Sequence, residues 1–126
     1  MCVNKKRPVN LDIGTIQLPL AAVTSITHRI SGVIVFVGIA ILLYLFDMSL
    51  SSEADFNRLS ELTSSFVARF VIWGILTALA YHMVAGCKHL LMDMGVGESK
   101  EGGPLGAKVT IAVSLVLAVL IGVWVW

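Results

Sequence analysis

An all-α integral membrane protein with three transmembrane helices is the fold class that this sequence predicts. Two observations carry the prediction. The first is composition: 57% of the 126 residues are hydrophobic, 13% are charged, and the mean hydropathy is +0.90. A soluble domain of this size cannot hide so much apolar surface. The second is distribution, because the apolar residues gather into three runs separated by polar segments. A span needs about 20 mostly apolar residues to cross the hydrocarbon core. In lipid such runs must be helices, since each backbone amide has to find its partner within the segment.

The first span is expected at about 22–46, and it is apolar or glycine throughout from Gly32 to Phe46. The second is expected at about 66–92 and the third at about 109–126, the last without a charge. Between the first two spans, Ser52 and Asp55 form an N-cap pattern that predicts a short surface helix. The stretch from Asp93 to Lys108 holds several glycines and Pro104, and it reads as a plain loop. One domain is expected, covering 1–126.

The termini and charges are read in the same way. Lys5, Lys6 and Arg7 look like the basic start of a signal peptide, but Pro8, Asn10, Asp12 and Gln17 stand where its apolar region would be. The N-terminus is therefore expected to stay on the mature chain. A formal net charge of +1 argues against a nucleic-acid partner. Cys2 and Cys87 form no CxxC motif and are expected to be free thiols. Of the nine basic residues, seven (Lys5, Lys6, Arg7, Arg29, Lys88, Lys100 and Lys108) fall on one side of a three-span layout, leaving Arg58 and Arg69 on the other. The positive-inside rule then puts the N-terminus and the second loop in the cytoplasm and the C-terminus outside. Trp124 and Trp126 suit a membrane interface.

Polar residues inside the spans are costly, and they mark interiors, cavities or cofactors. Here they cluster. Ser25, His28 and Arg29 share a face of the first helix, and Gly32 continues it with room for a bulky neighbour. Simple snorkelling to the headgroups would explain Arg29, but it accounts less well for the hydroxyl and imidazole beside it. His82 and His89 share a face of the second span, about 10 Å apart along the axis. Gly74, Ala78, His82 and Gly86 recur every four residues, a spacing that lets a helix or a flat macrocycle approach. His82 lies about 15 Å along the axis from Met92, well inside the hydrocarbon layer. It suits either a hydrogen bond to another helix or, as a neutral imidazole, an axial bond to haem iron. Zinc fits less well, because His82 and His89 are too far apart to share one ion. The layout puts both clusters at the cytoplasmic end. There Arg29 and His28 could hold propionates, and a hydroxyl with an arginine could hold a quinone oxygen.

These residues carry a resemblance. Arg7-Pro8-Val9 followed by Ser25-x-x-His28-Arg29-x-Ser31-Gly32 resembles one signature of the cytochrome b subunits of succinate dehydrogenase, in particular the enterobacterial type. The run His82-x-x-x-Gly86-Cys87-Lys88-His89-Leu90-x-Met92-Asp93-x-Gly95 resembles the other. Lys88 stands where the family usually has arginine, and Cys87 where it usually has an aliphatic residue. Lysine keeps the charge but loses the planar fork.

The resemblance implies a membrane anchor that helps build a haem-binding helical bundle with a second hydrophobic subunit. It implies that one haem b is shared with that subunit, with His82 as one axial ligand of the iron and the partner supplying the other. It places Ser25 and Arg29 at the ubiquinone site, His28 and Arg29 near the haem propionates, and His89 in the haem surroundings. The further partners would be an iron–sulfur subunit that delivers electrons and a flavoprotein that oxidises succinate, so this chain would be no enzyme alone. A bacterial inner-membrane location and a trimer of such heterotetramers complete the expectation. One alternative is a haem-free, quinone-binding anchor of a fumarate reductase-like complex. A channel subunit and an unrelated two-haem cytochrome b fit less well. The third span carries no charge and the polar groups collect at one side of the membrane, and the other helices offer no second histidine pair.

Overall fold

The computed structural model describes residue 12 and residues 14–126. Arg7-Pro8-Val9, Cys2, Lys5 and Lys6 lie outside the described residues. Among the described residues the regular structure is entirely helical. Helix α1 is Leu20–Ser51, α2 is Glu53–Ser64, α3 is Phe66–Asp93 and α4 is Gly102–Val125. Helices α1, α3 and α4 are each long and apolar enough to cross a membrane. Helix α3 lies in the middle, packed along both α1 and α4, which touch each other less.

Along most of their length the long helices are apolar on every side. Phe36, Val67, Val123 and Trp124 all stand exposed, as suits surfaces that meet lipid or other spans. Little apolar driving force joins helices in lipid, so close packing must do so, and small residues permit it. A Cβ on Gly38 of α1 would come within 2.6 Å of Ile75 Cγ2 on α3. Ala85 of α3 and Ala107 of α4 are fully buried, with Gly103, Thr110 and Ser114 on the same α4 face. Trp73 Nε1–H donates to the Ala118 carbonyl at 2.9 Å, and Gly122 lies against the same indole. Phe66, Phe70, Trp73 and Trp126 form an aromatic cluster at that end of α3 and α4, with neighbouring ring centroids 5.8–6.4 Å apart.

The short surface helix forms as expected. Ser52 Oγ accepts from the Asp55 backbone N–H at 3.0 Å and donates to Asp55 Oδ2 at 2.7 Å, which fixes the start of α2. The second connection departs from expectation. It is a loop only from Met94 to Glu101, and Gly102–Lys108 are helical. Pro104 falls in the first turn of α4, where its missing N–H costs no intrahelical bond. Gly106 serves packing instead of turning, since a Cβ there would meet Lys88 Cε at 3.4 Å, whereas Gly103 is buried with nothing within 4 Å of an added Cβ. Gly95 does turn the chain. Its φ is +81°, Gly95 N–H bonds the Met92 carbonyl and Val96 N–H bonds the Leu91 carbonyl, each at 2.9 Å. This is a Schellman closure of α3.

Candidate functional site

The N-terminal half of α1 and the C-terminal half of α3 bring three imidazoles together. The His28 ring stacks on His82 with centroids 4.1 Å apart and an interplanar angle of 11°. The His89 ring is 5.1 Å from His28, tilted by 57°. Glycines make the approach possible. A Cβ on Gly32 would stand 3.1 Å from His82 Cε1, and one on Gly86 would stand 3.4 Å from His28 Nε2. The bulky neighbour for which Gly32 leaves room is therefore the imidazole of His82.

Two polar atoms fix that imidazole. His82 Nδ1 lies 3.1 Å from the His28 carbonyl oxygen and 3.0 Å from Ser31 Oγ. The Ser31 hydroxyl itself donates to the His28 carbonyl at 2.7 Å. A carbonyl oxygen only accepts, so an unprotonated Nδ1 at 3.1 Å would set lone pair against lone pair. In the neutral ring the proton therefore belongs on Nδ1, and the lone pair on Nε2. The His82 ring lines an open cavity of about 440 Å³ with His28, Met83, Gly86, Cys87, His89 and Leu90. Met83 and Leu90 are well exposed, so the cavity opens on the outer face of the chain.

Ser25 is half-buried and Arg29 exposed, on the α1 face that carries His28. Neither is held by a hydrogen bond or ion pair among the described residues. Cys87 is a free, exposed thiol at the edge of the cavity. Lys88 turns away from the histidines. Its ammonium donates to Thr24 Oγ1 at 3.4 Å and its stem lies on Gly106, so it ties α3 to α1 and α4. Nearby, the Thr27 and Tyr81 hydroxyls share a hydrogen bond, and Tyr81 also donates to the Thr24 carbonyl at 3.3 Å. The sequence signals neither this clasp nor the role of Ser31, because both depend on the rotation of α1 against α3.

The family model for the succinate dehydrogenase/fumarate reductase transmembrane subunit matches residues 3–121. The chain belongs to that family. It is 38% identical to the succinate dehydrogenase cytochrome b556 subunit of Coxiella burnetii, covering 98% of this chain and 100% of the relative. It is 34% identical to the subunit of the same name from Paracoccus denitrificans, over 90% and 88% of the two chains. The corresponding subunit of Rickettsia felis is 26% identical over 98% and 94%. This member is thus a multi-pass membrane subunit of a succinate dehydrogenase, which implies further subunits beside it. The resemblance drawn from Ser25–Gly32 and His82–Gly95 is borne out at the level of the family.

Proposed function

We propose that this chain holds one haem b jointly with a second membrane subunit, with His82 Nε2 as one axial ligand, and that Ser25 and Arg29 help form the site where ubiquinone is reduced. The observation that carries the reading is the placement of His82 Nδ1 against Ser31 Oγ and the His28 carbonyl. The Nδ1–H is engaged by Ser31 and the His28 carbonyl, which leaves on Nε2 the lone pair that haem iron takes from a neutral imidazole. The stack with His28 covers one face of the ring, and the ring lines the open cavity. The cavity beside it is apolar apart from its imidazoles, and it opens outward, where a second subunit can supply the other ligand.

When bound, haem supplies a one-electron centre inside the bundle. His28 and Arg29 are the residues that would hold its anionic propionates. At the quinone site, the Ser25 hydroxyl donates to a carbonyl oxygen, and the Arg29 guanidinium offsets the negative charge that develops as that oxygen is reduced. A position near the cytoplasmic face of a bacterial inner membrane puts these groups within reach of a docked iron–sulfur subunit. Oxidation of succinate belongs to a separate flavoprotein subunit. The basic residues favour a cytoplasmic N-terminus and a periplasmic C-terminus.

The test is an optical difference spectrum of the purified complex, reduced first with succinate and then with dithionite. A b-type signal that depends on His82 and responds to succinate is expected. An intact, quinone-active complex without haem would favour the haem-free anchor and leave His82 as a packing residue.

A further inference from the structure

We infer that Ser31 is a positioning residue for His82: its hydroxyl oxygen is the principal acceptor for Nδ1–H, and through that bond it sets the donor strength of Nε2. The inference rests on the reading of His82 as a haem ligand. A buried serine in a membrane helix commonly satisfies itself by donating to a carbonyl three or four residues back. Ser31 does this, at 2.7 Å to His28. That bond uses its proton but leaves its lone pairs free, and one of them faces His82 Nδ1 at 3.0 Å, across from α3.

The competing acceptor is the His28 carbonyl, at 3.1 Å. Its capacity is already taken up. As the i−4 partner of the Gly32 N–H within α1 it accepts one helical bond, and the Ser31 hydroxyl supplies a second. A carbonyl has two lone pairs, so the Nδ1–H is a third claimant there. Ser31 Oγ has unspent capacity, and donating its own proton polarises it into a better acceptor. Ser31 is only 6% exposed, so water does not replace it.

A hydrogen bond that draws on Nδ1–H pushes electron density toward Nε2 and strengthens its donation to iron. Stronger donation favours the oxidised metal. Removal of the Ser31 acceptor therefore raises the midpoint potential of the haem. Rotation of the ring is also freed, which broadens the range of axial-ligand orientations.

The experiment is redox potentiometry of the haem, with low-temperature electron paramagnetic resonance, on the assembled complex carrying Ser31→Ala, Ser31→Cys or Ser31→Thr. Ser31→Cys nearly preserves the volume but offers a weak acceptor, so its effect is not that of a cavity. Ser114→Ala removes another buried hydroxyl, on α4 and outside the histidine cluster, and serves as control. The expected result is an upward potential shift and an altered low-spin signal in the alanine and cysteine variants, with Ser31→Thr returning toward the parent and Ser114→Ala unchanged. Parent-like potential and signal in both Ser31→Ala and Ser31→Cys would overturn the inference. So would an equal shift in Ser114→Ala. His82→Ala separates the two levels: a parent-like haem in that variant overturns the ligand assignment itself, whereas its loss alongside an unshifted Ser31→Cys overturns only the role of Ser31.

Discussion

At the scale of single residues, the chain concentrates its polar chemistry on adjoining faces of two helices. Arg29 is exposed there with no intrachain partner among the described residues, so its substitution should disturb function more than folding. Arg29→Ala is expected to lower quinone reduction by at least about tenfold, while succinate oxidation with a soluble artificial acceptor persists. Parallel assays on the same membranes check this, and equal loss of both activities in an assembled complex would refute the assignment. Gly32 is the tightest point of the histidine cluster. A Cβ there, at 3.1 Å from His82 Cε1, forces the ring to move by a few tenths of an ångström and stretches both bonds to Nδ1. Gly32→Ala should therefore reduce haem occupancy while the subunit still inserts, as measured by pyridine haemochrome content against subunit abundance. The face shared by Ser25, His28 and Arg29, and that shared by His82 and His89, are both legible from spacing, because the helical period alone generates them. The stack of His28 on His82 and the bond from His82 to Ser31 are not. They require the rotation of one helix about another, which packing sets and spacing does not record.

At the scale of elements, helices in lipid are joined where small residues let backbones approach. Gly38 is such a place. A Cβ would lie 2.6 Å from Ile75 Cγ2, so Gly38→Ala must part α1 from α3 or twist Ile75, at a cost of about 1–3 kcal/mol. The thermal midpoint of the detergent-solubilised complex should fall, and the loss should be partly recovered in an Ile75→Ala background, where both γ-carbons that meet the new Cβ are gone. No recovery would show that the crowding is not borne by Ile75. Gly95 is different in kind, because its φ of +81° ends α3 in a conformation that side chains resist. Gly95→Ala should cost roughly 1 kcal/mol through backbone strain, since nothing stands within 4 Å of the new methyl. The two roles of glycine explain where the sequence reading of elements succeeded and where it failed. Glycines after Asp93 promise a loop on composition, and Gly95 and Gly97 deliver it. Gly103 and Gly106 lie instead within α4, and composition does not distinguish a turning glycine from a helical one. Ser52 carried a clearer signal, because a hydroxyl three residues before a carboxylate names both ends of a cap.

At the scale of the whole molecule, the three long helices leave most of their apolar surface uncovered by one another. Each of their most hydropathic windows is at most 11% buried. Such a bundle needs lipid or other membrane-embedded segments around it. Its orientation is predicted from charge. The α2 connection carries Arg58, and Arg69 stands at the start of α3, where its guanidinium donates to the Thr63 carbonyl at 3.4 Å. The acidic residues of α2 weigh little in this balance. The Met94–Glu101 connection carries Lys100, with Lys88 and Lys108 beside it. The α2 connection is therefore expected outside the cell membrane and the second connection inside. In a background with Cys2 and Cys87 replaced by serine, Ser60→Cys on α2 and Glu98→Cys in the second connection place one thiol on each face, both at exposed positions. A membrane-impermeant maleimide added to intact spheroplasts should label Ser60→Cys and spare Glu98→Cys, which becomes reactive only after the membrane is opened. The reverse pattern would place His28, His82 and Arg29 at the periplasmic end, out of reach of a cytoplasmic electron donor. The quinone site proposed at Ser25 and Arg29 would then have to be abandoned even with the haem ligand intact, so the labelling pattern bears on the direction of electron delivery independently of any spectrum.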